Sequence, residues 1–219
     1  MLHSSIFFGA MVKSMAQHLL SSGRIKMHRN ERFSSDYLYR VQNLLQVLCP
    51  LVTQKYAEMP DETAELNRSI AFFLKRCLSF MDRGYVFRLI NGYLGRFSPG
   101  DSPALCAYKF TFLQILCSHE HYVALNLPLD STILSATSRG STCSSAGRIP
   151  STLDDDGDEI PSEALPSDEF CRHHFLAGLL QREVRASLLE SHQVRSTALS
   201  VFRQLLTKHE LDDRYQTKV

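Results

Sequence analysis

The sequence has no apolar run that approaches the roughly 18 residues of a membrane-spanning helix. It also has only six cysteines in 219 residues, too few for a small secreted fold held together by disulfides. Five of the six fall in or beside apolar helical patterns, and only Cys143 lies in a polar stretch. We therefore expect reduced thiols, a cytoplasmic location and no direct membrane insertion. A net charge of +1 excludes a strongly basic nucleic-acid binder, so no nucleic-acid partner is expected.

The common nucleotide-binding and hydrolase motifs are missing as well. The sequence contains no Gly-Lys-Ser/Thr, no G-x-G-x-x-G and no G-x-S-x-G, which are the motifs that cradle phosphates or expose a nucleophilic serine. We predict no catalytic, cofactor-binding or metal-binding residue, and no cofactor.

One cluster does contain zinc-ligand residue types. Its C-x-H-x-H spacing is not that of a zinc finger, and Val123 stands where the metalloprotease motif needs a second histidine. We interpret the cluster as polar residues at a helix end, with zinc binding as the minor alternative. The candidate ligands are Cys117, His119 and His121, with Cys171, His173 and His174 as distant partners.

A second cluster resembles a calcium-binding loop. Thr152, Asp154, Asp156, Gly157 and Glu163 have offsets close to those of such a loop. Thr replaces the usual first Asp, a proline interrupts the return, and the preceding Ser/Gly-rich stretch cannot form the entering helix. A solvated acidic linker is the preferred interpretation.

Apolar residues recur at three- and four-residue spacing in seven segments, and no segment alternates as a strand would. The helices are expected to start near residues 5, 35, 61, 82, 103, 168 and 191. Asp61, Asp82 and Ser102 are the predicted N-caps of three of them, Gly23 should stop the first, and Pro50 should kink or end the second. The sequence predicts an all-α protein, either an antiparallel bundle or an armadillo-like α-solenoid of stacked antiparallel helices.

The composition changes sharply in the second half of the chain. From residue 130 to residue 169, 28 of 40 residues are Ser, Thr, Gly, Pro, Asp or Glu, and the net charge is −7. Such a segment buries too little apolar surface to offset its ordering entropy, so we predict a disordered insertion. The expected organisation is a helical scaffold in two parts, residues 1–129 and 168–219, separated by a linker over 130–167. Without residues 130–169, the chain carries a net charge of +8.

The link after the first helix, RIKMHRNER at residues 24–32, is the most basic short stretch, with four bases and one acid. No aromatic residue is interleaved with the bases. We interpret it as a solvated inter-helix loop, with a protein contact or a contact with anionic lipid or nucleic acid as the alternatives.

Several segments together resemble the dedicator-of-cytokinesis family, in particular its zizimin subfamily. They occur in register over nearly the whole chain outside the linker. The segments are KSMAQHLL (13–20), KYAEMPDE (55–62), LKRCLSFMDRGYVFRLINGYL (74–94), YKFTFLQILCSHEHYVALNLPL (108–129), DEFCRHHFLAGLLQREV (168–184) and LLTKHELDDRY (205–215).

This resemblance implies a stretch of the helical, armadillo-like scaffold that lies between an N-terminal lipid-binding region and a C-terminal catalytic region. Members of the family are guanine-nucleotide exchange factors for Rho-family small GTPases. No segment here matches the catalytic region, so we expect no exchange activity from this chain alone, and Met1 is expected to be a fragment boundary. The expected partners are a Rho-family GTPase, through the absent catalytic region, and other regions of the same protein.

Two interpretations therefore remain: a non-catalytic scaffold segment of an exchange factor, or a free-standing cytosolic all-α adaptor. In the first, motifs such as MDRG at residues 81–84 should form helix junctions. Asp82 would cap, Arg83 would bond a neighbouring carbonyl, and Gly84 would permit close packing.

Overall fold

The computed structural model describes residues 3–119 and 168–211, except for the side chains of residues 168–174 and 209. These residues contain α-helices and short 3₁₀ turns and no strand, which confirms the all-α prediction. The linker 130–167, the calcium-like loop and Cys143 lie outside the described residues. The helices are α1 (Ser4–Ser21), α2 (Ser35–Lys55), α3 (Pro60–Phe80), α4 (Arg83–Leu94), α5 (Pro103–Cys117), α6 (Asp168–Ala186) and α7 (His192–Glu210).

Side chains close to the helix starts cap the backbone where the sequence indicated. Asp82 accepts a hydrogen bond from the backbone N–H of Tyr85 at 2.9 Å, and Ser102 accepts one from that of Leu105 at 3.4 Å. Both satisfy donors that have no partner inside the helix. Gly23 follows α1 with φ of 69°, the left-handed conformation that a glycine adopts without strain.

The predicted cap of α3 is wrong. The helix begins at Pro60, its N-cap residue is Met59, and Asp61 lies within the first turn. Proline suits the first helical position because its missing N–H would have no helical partner there. Asp61 instead places its charge near the positive end of the helix dipole.

Pro50 does not end α2, which continues to Lys55. A proline inside a helix costs about 3 kcal/mol because it removes a donor and crowds the preceding turn. Leu45, Cys49 and Val52, on both sides of the proline, are at most 5% exposed. Burial of this continuous apolar face offsets the local cost.

The helices stack in two layers. In one layer α1 packs against α3, α3 against α5 and α5 against α7, while α2, α4 and α6 form the other layer. Helices α2 to α7 each contact neighbours in both layers, as in an α-solenoid of stacked helical pairs. The predicted stacked-helix architecture is confirmed.

Helices from before and after the linker share one core. The rings of Phe87 in α4 and Phe175 in α6 stack with centroids 4.2 Å apart. Lys109 in α5 and Glu183 in α6 form an ion pair at 3.1 Å, with both side chains at least four-fifths buried. The helices that precede residues 120–167 are thus packed against the helices that follow them.

Candidate interaction surfaces

The zinc candidates at the end of α5 have other roles. The His119 ring Nε2 lies 3.0 Å from the Ser79 hydroxyl, and burial raises the pKa of the Cys117 thiol to about 12, whereas zinc binds the thiolate. Lys208 donates from α7 to the backbone carbonyls of both Cys117 and His119, each at 3.1 Å. This lysine satisfies carbonyls at the end of α5, a role that no local sequence signal reveals.

No metal-binding group of three or more His, Cys, Asp or Glu residues occurs in the parts of the chain that the structure describes. The side chains of Cys171, His173 and His174, and residue 121, lie outside those parts. Four cysteines, at positions 49, 77, 106 and 117, are free and buried. No helix among the described residues is long and apolar enough to cross a membrane.

The first and last helices of the α1–α3–α5–α7 layer both expose large apolar side chains. In α1, Ile6 and Phe7 are 69% and 49% exposed, and in α7, Leu199 and Leu206 are 48% and 52% exposed. In a solenoid, each repeat buries its apolar faces against the repeats beside it, and a terminal repeat has a polar outer face. In the two outer helices these exposed apolar side chains interrupt faces that are otherwise polar, and we call the two helices the stack ends.

A groove of about 530 Å³ runs between α1 and α3. Its apolar lining includes Phe8, Phe73 and Phe80, and Phe72 at its side is half exposed. The groove has the apolar floor and charged rim of a surface that takes an amphipathic helix. The rim residues are Lys13, Glu65, Arg68 and Arg76, of which Glu65 and Arg68 pair at 3.0 Å.

The basic link between α1 and α2 is mostly exposed, as expected of a solvated inter-helix loop, and it is also held in a defined shape. It forms two 3₁₀ turns, Arg24–Lys26 and Arg29–Glu31. Arg32 donates to the carbonyls of Ile25 and Met27 in the link, at 2.9 and 3.1 Å, and its Nη1 lies 3.4 Å from the carbonyl of Ser79 at the end of α3. One guanidinium thus fastens the link to the C-terminal end of α3, where the helix dipole favours a cation.

An open pocket of about 540 Å³ lies against this link. The residues that line the pocket belong to the link with its two 3₁₀ turns and to the start of α4. The fold brings these two segments of the chain together. We call it the basic pocket; it is lined by Lys26, Met27, His28, Arg29, Asn30, Arg32 and Asp82.

Two arginines, Arg29 in the lining of the basic pocket and Arg83 at the start of α4, are in an unfavourable electrostatic setting. Burial and the neighbouring Arg32 lower the pKa of Arg29, and Asp82 opposes this effect. Burial, followed by Arg29, lowers the pKa of Arg83. The predicted bond from Arg83 to a carbonyl is wrong: among the described residues, the carbonyl-bonding arginine of this junction is Arg32. Sequence reasoning missed this grouping because residues 29 and 83 are far apart in the chain.

Gly84 has a different role from the expected helix packing. A Cβ at this position would lie 3.2 Å from Asp82 Oδ1, the carboxylate oxygen that caps α4. The glycine therefore leaves room for the cap itself. The predicted cap at Asp82 is confirmed. The close contact that Gly84 permits is with this capping carboxylate two residues away and not with a neighbouring helix.

These helices define an α-solenoid segment, and comparison with known proteins identifies the family. A family model described as "DOCK6-11, TPR domain" matches residues 1–117. The chain belongs to this family, the dedicator-of-cytokinesis proteins, which confirms the resemblance to the zizimin subfamily.

Curated relatives match over almost the entire chain. Human dedicator of cytokinesis protein 9 is 43% identical over 99% of this chain and 10% of its own length. Protein 11 of Danio rerio is 39% identical over 97% of this chain and 10% of its own length, and human protein 8 is 34% identical over 95% and 10%. The chain thus spans about a tenth of the length of these relatives. No solved structure matches.

Proposed function

We propose that this chain is a non-catalytic helical scaffold segment of a guanine-nucleotide exchange factor for Rho-family small GTPases. The observation that carries the proposal is the pair of stack ends, whose exposed apolar side chains are those expected where a solenoid continues into neighbouring helices. Membership of the dedicator-of-cytokinesis family, with about a tenth of its relatives' length covered, supports it.

In this proposal, residues 1–129 and 168–219 are two parts of one scaffold in the cytoplasm, and residues 130–167 form a linker between them. The ion pair between Lys109 and Glu183 supports a shared scaffold because it joins α5 to α6. The direct partners are other regions of the same protein. The GTPase is bound by a catalytic region outside these residues, so the scaffold acts by holding regions in position.

Hydrogen exchange tests the scaffold role. Backbone amides of α1 and α7 should exchange more slowly in the longer parent protein than in the 219-residue chain, because the neighbouring helices cover the stack ends there. Amides of α2, in the other layer, are the internal control. Equal protection of α1 and α7 in both proteins would refute a continuous stack.

Nucleotide release tests the absence of catalysis. Rho-family GTPases are loaded with fluorescent GDP, and the release of this GDP is followed in the presence and in the absence of the 219-residue chain. We expect release at the intrinsic rate, with the longer parent protein as the positive control. Acceleration by the 219-residue chain would contradict the proposal.

A free-standing adaptor is the second candidate function, and the groove between α1 and α3 favours it. An adaptor would bind an amphipathic helix there without the rest of a larger protein. Phe72→Ser changes a half-exposed groove residue, and Tyr39→Ser changes a similarly exposed residue of α2 as the matched control. Capture of a helical peptide by the chain, lost only in Phe72→Ser, would favour the adaptor.

A further inference from the structure

The groove between α1 and α3 is bounded by two helices that run side by side in the same direction. Ser4 Oγ donates to Ser69 Oγ at 3.0 Å. Four residues further along each helix, the rings of Phe8 and Phe73 have centroids 4.8 Å apart. The groove residues of α3 extend over Glu65–Phe80, roughly 22 Å along the helix axis. This length accommodates a bound helix of about three turns.

The wall of the groove contains a glycine that the packing of the described residues does not require. Gly9 lies inside α1 and lines the groove, although glycine is among the least favourable residues inside a helix. A Cβ at this position would meet nothing within 4 Å. The missing side chain leaves room for a partner to approach the backbone of α1 closely.

The charged residues around the groove are mostly basic. They are Lys13, Glu65, Arg68 and Arg76. Glu65 pairs with Arg68 at 3.0 Å, so the rim keeps a net charge of +2. Lys13 in α1 and Arg76 in α3 are both exposed, and they lie on opposite sides of the groove. A partner with acidic residues on both flanks of its apolar face would complement these two bases.

The helical walls favour a helix over an extended segment as the occupant. An extended segment needs partners for its backbone N–H and C=O groups, and in peptide recognition a sheet edge supplies them. The described residues contain no strand, and the groove is walled by side chains of two helices. A helix satisfies its own backbone groups and can lay an apolar face on Phe72 and Phe80.

The exposed apolar helices of this chain have the wrong charge for the groove. The sequence of α1 contains no acid, and that of α7 contains three bases and one acid, Glu210. A second copy of the chain would therefore not complement the basic rim through its stack ends. The acidic stretch 154–163 contains Gly157 and Pro161, which are unfavourable inside a three-turn helix. These charges and breakers favour a separate protein as the source.

We propose that the groove between α1 and α3 binds an amphipathic helix of another protein, with acidic residues flanking its apolar face. The acids of that helix pair with Lys13 and Arg76, and its apolar side chains fill the space beside Gly9. The inference rests on the second candidate function, because it names the partner that such an adaptor would bind. The scaffold role does not depend on it, since Ile6 and Phe7 of the stack end are not among the groove residues.

Fluorescence anisotropy with two designed peptides tests the charge of the partner. Both are blocked helical peptides of about 15 residues with leucines at helical spacing. Glutamates flank the leucines in the acidic peptide, and lysines flank them in the basic peptide. The 219-residue chain should bind the acidic peptide about tenfold more tightly, since each exposed charge pair contributes a factor of about three.

The outcomes of this experiment separate the charge of the partner from the adaptor function. Equal binding of the two peptides would overturn the acidic partner and leave an adaptor groove in place. Failure to bind either peptide would overturn both. The scaffold role is measured independently, by hydrogen exchange at the stack ends.

Charge reversal on the rim gives a gain-of-binding test that misfolding cannot imitate. Lys13→Glu/Arg76→Glu should make the chain bind the basic peptide more tightly than the acidic one. Arg195→Glu/Arg203→Glu reverses two exposed arginines of α7 and is the matched control, which should still prefer the acidic peptide. A reversed preference in the control as well would assign the effect to the net charge of the chain and overturn the site.

Filling the groove tests where the peptide binds. Gly9→Leu should weaken binding of the acidic peptide about tenfold or more, as expected when a bulkier side chain is forced into a packed contact. Gly92→Leu is the matched control, because Gly92 lies in α4, is exposed and also has nothing within 4 Å of an added Cβ. Neither variant should lower the thermal unfolding midpoint, since leucine favours a helix more than glycine does. Unchanged binding in Gly9→Leu, or an equal loss in Gly92→Leu, would overturn the groove as the site.

Sedimentation equilibrium distinguishes a separate partner from a second copy. We expect the 219-residue chain and Gly9→Leu to have the same oligomeric state, because the groove does not bind another copy. A dimer that dissociates in Gly9→Leu but not in Gly92→Leu would overturn the assignment to another protein.

Discussion

Lys109 Nζ in α5 lies 3.1 Å from Glu183 Oε2 in α6, and the two side chains are only 10% and 16% exposed. Arg182 also approaches Glu183, at 3.1 Å, but from the solvent side, with 63% of its side chain exposed. The ion pair therefore connects the helices before and after the linker in a setting where neither charge is fully hydrated.

Lys109→Met should destabilise the fold. Removing one partner of a buried ion pair costs about 3 to 5 kcal/mol because the other charge is left unpaired. We expect the lower end of this range, since Arg182 still neutralises part of Glu183. Urea unfolding measures the loss, and Lys109→Met/Glu183→Leu should recover most of it.

The exposed pair of Arg68 and Glu65 is the control for this prediction. These residues pair at 3.0 Å with side chains 48% and 34% exposed, and exposed pairs contribute at most about 1 kcal/mol. Arg68→Met should therefore change the unfolding free energy much less than Lys109→Met. Equal effects would show that the α5–α6 pair has no special structural role.

Tyr93→Phe should destabilise the junction of α3, α4 and α5 by about 1 to 3 kcal/mol. Tyr93 donates to the side-chain oxygen of Asn67, whose amide nitrogen donates to the backbone carbonyl of Tyr108 at 3.0 Å. Asn67 and Tyr93 are each 1% exposed, so the phenylalanine would leave a buried acceptor without a donor. Tyr39→Phe, at a site 62% exposed, should be neutral in the same thermal unfolding measurement.

Asp82→Ala should lower stability by about 1 kcal/mol through loss of the α4 cap. Ser191→Ala is the matched control, because Ser191 is the N-cap residue of α7 but makes no side-chain capping bond. Denaturant midpoints of the two variants measure the difference. A loss in Ser191→Ala as large as that in Asp82→Ala would contradict the capping geometry.

Stability should fall as the pH rises from about 9 to about 12. Burial raises the pKa of the Cys49 and Cys117 thiols to about 12, from 9.0 when unburied. In this window, the unfolded thiols ionise while the folded ones keep their protons, so alkaline pH favours unfolding. Each thiol lowers the unfolding free energy by about 1.4 kcal/mol per pH unit.

Urea titrations at pH 8 to 11 measure this slope, with Cys117→Ala as the comparison. The variant should show a shallower decline, since it lacks one protected thiol. Native Cys49 and Cys117 should also react slowly with a thiol reagent at pH 8. Rapid labelling without unfolding would contradict their burial.

The sequence by itself determined the helices. Apolar residues at helical spacing, Asp82 and Ser102 at helix starts, and Gly23 after α1 are local signals, because each interaction involves residues within a few positions along the chain. Asp82 also lies in one of the segments that carried the family resemblance, which the comparisons confirm. Local signals failed at Asp61, where the neighbouring proline determined the helix start.

Only the tertiary structure decided how distant segments meet. It carries α2 through Pro50, because burial against neighbouring helices outweighs the local cost. It pairs Lys109 with Glu183 and brings Arg32 to the carbonyl of Ser79. No spacing rule predicts these pairs, since they depend on which helix faces stack, and stacking is determined by the shape and burial of the whole core.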